Sequence, residues 1–371
     1  MRPLRTAVVG TGHLGQAHAR LLCQSDHSEL VAVVDSDAAR RDEVARLYGA
    51  RACGSIAELP EMIEAVVVAT PTVTHHAIGL ELLDRGIHVL VEKPLTPSST
   101  EARELVEAAT SAGVVLQVGH VERFNPALSA ARAWTREPKF IEATRASGFT
   151  FRSTDIGVVL DLMIHDIDIV LSLTRSKVVR VEAIGLAVLG RHEDVANARL
   201  ELADGCVATL SASRVSYAAQ RHLRVWSSHS FASLDLGSRE ARIVSPSEAI
   251  QQRQLDVEQF DAAAKEAFRD DMYQRHLAIE DLRVEACDQL TAELDDFADA
   301  VRRGRPPRVT GAQGAEAVSV AEQILASIES HAWDTSDSPR QGPLAMPRPK
   351  VIPGPHWSTK PSPVVPRRQA G

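Results

Sequence analysis

Three side chains of this sequence have the types and the setting needed to oxidise an alcohol: Lys93, Asp161 and His165. Lys93 follows an apolar run at 87–91 that predicts a buried strand, and the ring of Pro94 fixes the next backbone φ angle. A positioned lysine polarises a substrate oxygen, and an imidazole accepts the hydroxyl proton while the same carbon loses a hydride. The alternative for Lys93 is a solvated lysine in a surface turn.

Asp161 and His165 lie in the segment 157–173, where nearly every other position is apolar. We predict a single buried helix there, with Asp161, His165, Asp168 and Ser172 on one stripe. Burying a carboxylate and an imidazole is costly unless they are paired or line a polar cavity. The stripe therefore favours a catalytic pair in which Asp161 provides charge and orientation. A core histidine bonded to a neighbouring aspartate would give the same pattern.

A glycine-rich motif, G-x-G-x-x-G, lies between the first predicted strand and the first predicted helix. Such glycines allow a tight turn, close approach of a pyrophosphate and close helix–strand packing, and the helix N-terminus faces the phosphates. Asp35 ends the next strand, where a carboxylate binds the ribose hydroxyls of NAD and repels the 2′-phosphate of NADP. The sequence therefore predicts NAD as cofactor. The predicted contacts in the motif are Gly10, Gly12, His13, Leu14 and Gly15.

The remaining predicted cofactor contacts are Thr70, Pro71, His75 and Glu92. They lie at or just beyond the carboxyl ends of later strands, which border the cofactor crevice in a parallel sheet. A Thr-Pro turn before a helix accounts for the first two equally well. Arg40 and Arg41 would favour NADP, but they are typical of the exposed face of a helix.

The order of the predicted helices and strands indicates an α/β protein. Val-rich strands alternate with helices up to residue 121, which predicts a doubly wound parallel sheet, the Rossmann arrangement, at 1–121. Consecutive strands, with a hairpin at 203–205, predict an α+β domain with an open, mostly antiparallel sheet at 122–331. The Pro-rich segment 332–371 is predicted to be a disordered tail.

Composition excludes several classes of protein. The chain has 371 residues and a formal net charge of −8, which argues against nucleic-acid or anionic-membrane partners. Its four cysteines are scattered, so we predict neither a metal site nor disulfides, and reduced thiols fit a cytoplasmic protein. No signal peptide and no apolar run of the ~20 residues needed to span a membrane is apparent.

Residues 5–330 resemble the Gfo/Idh/MocA superfamily, named for glucose–fructose oxidoreductase, inositol dehydrogenase and rhizopine catabolism. The resemblance rests on the glycine motif, on Glu-Lys-Pro at 92–94, on Leu-Asp-Leu-Met-Ile-His-Asp at 160–166 and on Asp-Phe-Ala-Asp-Ala-Val at 296–301. It implies an N-terminal Rossmann domain and a homodimer or homotetramer joined through the open sheet. The catalytic residues that it implies are Lys93, Asp161 and His165.

Within the superfamily, the segment Gly-His-Val-Glu-Arg-Phe-Asn-Pro-Ala at 119–127 resembles UDP-N-acetylglucosamine 3-dehydrogenases, as does 211–215. Those enzymes oxidise the sugar 3-hydroxyl to a ketone, which an aminotransferase can convert to an amine for lipid A assembly. The implied substrate contacts are Arg123, Asn125 and Arg214. A helix-initiating turn with a structural salt bridge remains open for the first two, and cross-strand pairing for the third.

Two other functions remain open. A dehydrogenase of a free sugar, an inositol or a sugar acid would use the same groups. A non-catalytic nucleotide-sensing protein on the same fold is the alternative from another class, although a sensor has no need of all three catalytic residues. The charged stretch 251–285 predicts a solvated helix, with a substrate-covering loop as its alternative.

Overall fold

The computed structural model of the chain describes residues 2–151, 156–334 and 340–344. Its helices are α1 His13–Gln24, α2 Ala38–Tyr48, α3 His75–Asp84, α4 Ser99–Ala112, α5 Pro126–Ala130, α6 Ile164–Thr174, α7 Glu248–Gln251, α8 Ala262–Asp271, α9 Gln289–Arg303 and α10 Gly311–Ser330. Its strands are β1 Leu4–Val9, β2 Ser28–Val34, β3 Arg51–Cys53, β4 Ala65–Val68, β5 His88–Glu92, β6 Leu116–Gly119, β7 Pro138–Ala146, β8 Val178–Leu186, β9 Val195–Leu202, β10 Val207–Ser213, β11 Gln220–Ser227, β12 Phe231–Asp235, β13 Glu240–Pro246 and β14 Leu277–Asp281. No helix in the described ranges is both long and apolar enough to cross a bilayer.

The first sheet has six parallel strands in the order β3-β2-β1-β4-β5-β6, which confirms the predicted Rossmann arrangement. Its central strands are apolar runs because they are covered on both faces, and every residue of β4 is buried. Strand order reverses between β1 and β4, the position where such sheets bind dinucleotides. The carboxyl ends of β1, β4 and β5 therefore meet at one crevice.

The second sheet has eight strands in the order β14-β13-β12-β11-β7-β10-β9-β8. Only the β7–β10 pair is parallel, so the predicted mostly antiparallel sheet is confirmed. The predicted hairpin joins β9 to β10, and Gly205 at its tip has a φ of 84°. Sequence patterning missed β7, because Arg145 occupies one of its buried positions and interrupts the apolar alternation.

One face of the second sheet is covered by α6 and α10, and the other face carries partly exposed aromatic side chains. Trp226 lies between Phe140 and Phe231, with ring centroids 5.0 and 4.7 Å away. The charged stretch 251–285 forms helix α8 and strand β14, which extends this sheet at its edge. The stretch is therefore part of the sheet domain as well as a solvated helix.

The predicted single helix at 157–173 is wrong in one respect, because it begins as a π-helical turn at Val159–Met163 and continues as α6. Glu193 holds this turn, since its carboxylate accepts a hydrogen bond of 3.1 Å from the Val159 N–H. A Cβ at Gly157 would lie 1.9 Å from that carboxylate, so a side chain there would displace Glu193 from the turn. Wider turns of this kind frequently occur at functional sites.

The last helices return to the Rossmann sheet. Leu294 and Phe297 of α9 pack in one buried core with β1 and α1, and Thr310 forms a bridge with Gln117 of β6. Part of the predicted tail lies in the described ranges, where the Pro343 carbonyl accepts a hydrogen bond of 3.1 Å from the Ala187 N–H. The rest of that tail, 335–339 and 345–371, lies outside the described residues.

Candidate active site

The glycine loop after β1 has the geometry of a phosphate cradle. Gly10 has a φ of 93°, and a Cβ on it would lie 2.5 Å from the Ala69 carbonyl oxygen. A Cβ on Gly15 would lie 1.7 Å from the carbonyl oxygen of Gly10, so helix and loop pack too closely for any side chain. Gly12 precedes α1 without a side-chain cap, and no atom lies within 4 Å of its Cβ position. The exposed helix N-terminus and the open space beside it fit a pyrophosphate.

Asp35 provides a negative charge at the end of β2, beside this loop. One carboxylate oxygen accepts hydrogen bonds from the Thr11 N–H and hydroxyl at 2.7 and 2.8 Å, and the other accepts the Asp37 N–H at 2.8 Å. Burial raises the pKa of Asp35, but these hydrogen bonds and the charge of Arg40 lower it overall. The ionised carboxylate fits ribose hydroxyls and repels a 2′-phosphate.

A cleft of about 240 Å³ brings residues of three strand ends together. Leu14, Thr70, Pro71 and Lys93 line it, while His13 lies exposed next to the loop. His75 is buried behind the cleft, with ring nitrogens 3.0 Å from the Pro94 carbonyl oxygen and 2.9 Å from that of Thr70. Burial lowers the pKa of His75. It therefore ties two walls of the cleft together from behind.

Lys93 and Asp161 meet at the cleft, 68 residues apart in sequence. The Lys93 ammonium donates to the Asp161 carbonyl at 2.7 Å and to its carboxylate at 3.1 Å. The two side chains are 16% and 18% exposed, so the pair is accessible but largely enclosed. The Lys93–Pro94 peptide bond is cis. The end of β5 and the π-helical turn together place an ammonium group at the mouth of the crevice.

His165 lies in the first turn of α6, with its Nδ1 atom buried and without a partner among the described residues. Its ring centroid lies 6.1 Å from that of His120, edge-on at 84°. Burial, together with the positive charges of Lys93 and Arg145, lowers the pKa of His165 well below its usual range. The ring is therefore neutral at neutral pH, and a protonated ring is unfavourable.

Behind His165 lies a group that sequence analysis missed, which we call the inner polar cluster: His120, Asp168 and Glu293. All three are buried, and five of their polar atoms lack a partner within the described part of the chain. Those atoms are both ring nitrogens of His120, Oδ2 of Asp168 and both carboxyl oxygens of Glu293. The sequence contained one indication of Glu293, because this carboxylate directly precedes Leu294 on the apolar face of a helix.

Glu92 separates this cluster from Lys93. Its carboxylate binds His18 Nε2 at 2.8 Å and the Lys93 N–H at 3.2 Å. Burial raises the pKa of Glu92, but the hydrogen bond and charge of His18 and the charge of Lys93 lower it overall. The predicted cofactor contact thus holds the backbone of Lys93 from behind, although the residue also borders the cleft.

A second buried group, which we call the structural cluster, consists of Arg145, Asp166, Glu122 and Asn125. The Arg145 guanidinium donates to both Asp166 oxygens at 2.8–3.2 Å and to Glu122 at 2.8 Å. These charges outweigh burial and raise the pKa of Arg145. Asn125 caps α5, donates to Glu122 at 3.0 Å and donates to the Leu236 carbonyl at 2.9 Å. These contacts fit the alternative interpretation of Asn125, in which it belongs to a helix-initiating turn.

The other two predicted substrate contacts also bind protein groups. Arg123 donates to Asp168 Oδ1 at 3.1 Å and to the Arg308 carbonyl at 3.3 Å. Arg214 donates to Asp194 at 2.7 Å and to the carbonyl of Ile156, which lines the cleft, at 2.7 Å. Both arginines thus support residues around the cleft, and their contact with substrate stays a prediction.

The described part of the chain shows no second candidate active site. A larger cavity of about 390 Å³ lies between α4, α9 and α10, near the amino ends of β5 and β6 and away from the crevice. Within the described ranges, no group of three or more His, Cys, Asp or Glu residues is placed to hold a metal ion.

Comparison with known proteins identifies the family. Residues 4–120 match the model of an oxidoreductase family with an NAD-binding Rossmann fold, and residues 101–231 match the GFO/IDH/MocA C-terminal domain. The chain is 34% identical over 335 residues to UDP-N-acetylglucosamine 3-dehydrogenase from Acidithiobacillus ferrooxidans, covering 88% of this chain and 98% of that protein. It is 31% identical over 233 residues to scyllo-inositol 2-dehydrogenase (NAD(+)) from Bacillus subtilis, covering 57% and 68%.

Solved structures give the same assignment. The chain aligns with the structure of the Acidithiobacillus ferrooxidans enzyme with a TM-score of 0.77, covering 89% of this chain and 99% of that one. Levoglucosan dehydrogenase in complex with NADH, at 16% identity and a TM-score of 0.74, shares the fold over 88% of this chain and 97% of its own. The chain therefore belongs to the Gfo/Idh/MocA family of NAD-binding oxidoreductases.

Proposed function

We propose that this protein uses NAD to oxidise a secondary hydroxyl of a sugar, at carbon 3 of UDP-N-acetylglucosamine. The observation that carries the proposal is the 34% identity over 98% of a UDP-N-acetylglucosamine 3-dehydrogenase. The site chemistry supports it, because the Lys93–Asp161 pair lies where the crevice meets the strand ends, and His165 follows Asp161 by four residues, close enough for the charge of Lys93 to lower its pKa. The product would be the 3-keto nucleotide sugar.

Three side chains carry the proposed reaction. Lys93, held by Asp161, donates to the substrate oxygen and stabilises negative charge that develops on it. His165 accepts the hydroxyl proton, and its lowered pKa keeps it in the neutral form that a base requires. Asp161 fixes the direction of the ammonium group. Bound NAD supplies the hydride acceptor.

The remaining contacts follow from their places in the fold. We assign the NAD pyrophosphate to the loop Gly10–Gly15 and the ribose hydroxyls to Asp35. Thr70 and Pro71 border the nicotinamide side of the cleft, His75 supports Thr70 from behind, and Glu92 holds the backbone of Lys93. Arg123 and Arg214 are the proposed substrate contacts, of which Arg214 is next to the cleft wall at Ile156. The contacts of Asn125 assign it to the structural cluster instead.

The proposal also covers the location of the protein, its assembly and the use of its product. A cytoplasmic homo-oligomer that provides a keto sugar for amination, as lipid A assembly requires, would fit this substrate. The partly exposed aromatic row of Phe140, Trp226 and Phe231 on the open sheet face supports assembly through that face.

NADH formation tests the proposal directly. Purified protein is incubated with NAD and separately with UDP-N-acetylglucosamine, N-acetylglucosamine, scyllo-inositol and a sugar acid, and the absorbance of NADH is followed. We expect turnover with the nucleotide sugar and a product oxidised at carbon 3 by NMR. Faster turnover of inositol or a free sugar would move the substrate to the second class. Binding of the nucleotide sugar without NADH formation would favour the sensing protein.

A further inference from the structure

The reaction site has an inner side that the proposed function does not use. Among the described residues, His165 has one buried ring nitrogen without a partner, and its ring packs edge-on against His120, a member of the inner polar cluster with its five unpartnered atoms. Buried polar atoms in native proteins are nearly always hydrogen-bonded to protein or to internal water, so such a group requires an explanation. Leaving such a group unsatisfied destabilises the folded state.

We propose that His120, Asp168 and Glu293, bridged by internal water, form a proton relay that carries the substrate's proton from His165 to the protein surface. This inference rests on the proposed function, because it concerns the proton that oxidation of the hydroxyl releases. The relay leads away from the cleft, so it would still transfer protons while the cofactor and the sugar cover His165.

The charges around His165 explain why a relay is needed. Burial and the nearby Lys93 and Arg145 lower its pKa, so a ring that kept the substrate's proton would be unfavourable. If Nε2 accepts that proton while Nδ1 releases another, the ring stays neutral throughout. Nδ1 is buried without a partner among the described residues, and the ring that carries it packs edge-on against His120.

The later steps also conserve protons. His120 repeats the exchange between its two nitrogens, and burial lowers its pKa although Asp168 opposes this. Asp168 takes up a proton on Oδ2, because its other oxygen is bound to Arg123, and releases the same proton through bridging water toward Glu293. Glu293 then takes up one proton on one oxygen and releases another from the second. The exit is toward Asp296 on the same helix, which is 14% exposed.

Glu293 has the protonation state that this step requires. Burial raises its pKa well above the usual range, and the negative charges of Glu92, Asp296 and Asp168 act in the same direction. Gln117, which faces it from β6, donates to its backbone carbonyl at 3.1 Å and leaves the carboxyl group free. A carboxylic acid in this place can donate and accept, whereas an amide cannot exchange a proton between its two atoms.

The variant Glu293→Gln tests the relay in the full-length enzyme with NAD and UDP-N-acetylglucosamine. We expect kcat to fall about tenfold, less than the about 10²–10⁴-fold expected for loss of the base itself. The ratio of kcat in H₂O to that in D₂O should rise, kcat should become steeper with pH, and KM should stay constant. The control is Asp299→Asn, the same change of acid to amide on α9, whose carboxylate pairs with Arg303 and Arg305 at the surface.

An unchanged kcat and solvent isotope effect in folded Glu293→Gln would overturn the relay and leave the proposed function standing. A lower kcat with the wild-type isotope effect and pH profile would also overturn it, because a structural defect changes rate alone. If Glu293→Gln does not fold, His120→Gln decides by the same two measurements. Wild-type protein that forms no NADH with any sugar would overturn the proposed function and the relay with it.

Discussion

The structural cluster and the inner polar cluster both bury charge around helix α6, but they satisfy it differently. Asp166 and Asp168 are two residues apart on that helix and are both buried. Asp166 receives three hydrogen bonds from Arg145. Asp168 receives one from Arg123, and its second oxygen has no partner among the described residues. Residues two apart on a helix face different sides, so the two aspartates meet different partners although both are buried.

The comparison indicates how to distinguish a buried network that stabilises the fold from one that carries chemistry. A fully satisfied network is rigid and specifies one packing, whereas a partly satisfied one costs free energy in the folded state. A chain that retains such a cost needs a compensating role. On this criterion the structural cluster positions α6, and the inner polar cluster exchanges protons with His165.

The largest effect is expected at the reaction side of α6. His165→Asn should lower kcat by about 10²–10⁴-fold, because it removes the base. Lys93→Met should lower it by about 10²–10³-fold, because it removes a donor to the developing alkoxide. Steady-state NADH formation measures both, and calorimetry should show nearly unchanged NAD affinity.

Asp161→Asn refines this prediction. A mild loss would show that Asp161 only orients Lys93, and a loss as large as that of Lys93→Met would show that its charge is required. Near-normal turnover in both Lys93→Met and His165→Asn would contradict the proposed mechanism. It would indicate that the polar residues of α6 have a structural role, as those of the structural cluster do.

The next effect concerns stability in the structural cluster. Arg145→Met should lower the free energy of unfolding by about 3–5 kcal/mol, because it leaves the buried Asp166 without its counter-charge and Glu122 with only Arg221, 3.7 Å away. Urea denaturation followed by circular dichroism measures this. The control Arg199→Met removes an exposed pair with Glu201 on the same sheet and should change the free energy of unfolding far less, because exposed ion pairs contribute little. Equal costs would mean that burial of the network contributes nothing.

A smaller, pH-dependent effect is expected in the inner polar cluster. Because the pKa of Glu293 is raised on folding, its stabilising contribution is present below its unfolded pKa of about 4.3 and is lost as pH rises toward the folded pKa. Glu293→Gln should therefore gain stability over wild type by up to about 1.4 kcal/mol per pH unit in that window. Urea denaturation at several pH values measures the difference. Parallel curves would mean that Glu293 is ionised and partnered.

Much of the fold was predictable from sequence, because the buried strands of the Rossmann sheet are continuous apolar runs and its turns carry glycine. The strands that sequence analysis missed contain polar residues at buried or exposed-edge positions, as β7 does at Arg145. The π-helical turn was not predictable, since it depends on Glu193, a residue of another segment. Periodicity does not report contacts between distant segments.

The candidate site also has parts that the sequence could predict and parts that it could not. Lys93, Asp161 and the glycine loop could be singled out because their residue types match the proposed task and each belongs to a short motif. The inner polar cluster combines residues from β6, α6 and α9, and only the fold brings them behind His165. Arg123 and Asn125 show the opposite case. They lie in one short motif that predicted substrate contact, but the contacts of both side chains in the structure are with protein groups.

The smallest effect is expected at Asn125, the residue that links the resemblance to the structural cluster. Its side-chain oxygen accepts the Ala127 N–H at 3.0 Å at the start of α5, and its amide donates to Glu122 and to the Leu236 carbonyl. Asn125→Ala should lower the free energy of unfolding by about 1–2 kcal/mol, as loss of a helix cap does. The KM for UDP-N-acetylglucosamine should stay unchanged. A raised KM with an unchanged melting temperature would instead assign Asn125 to the substrate, and would show that a fully partnered side chain can still serve the reaction.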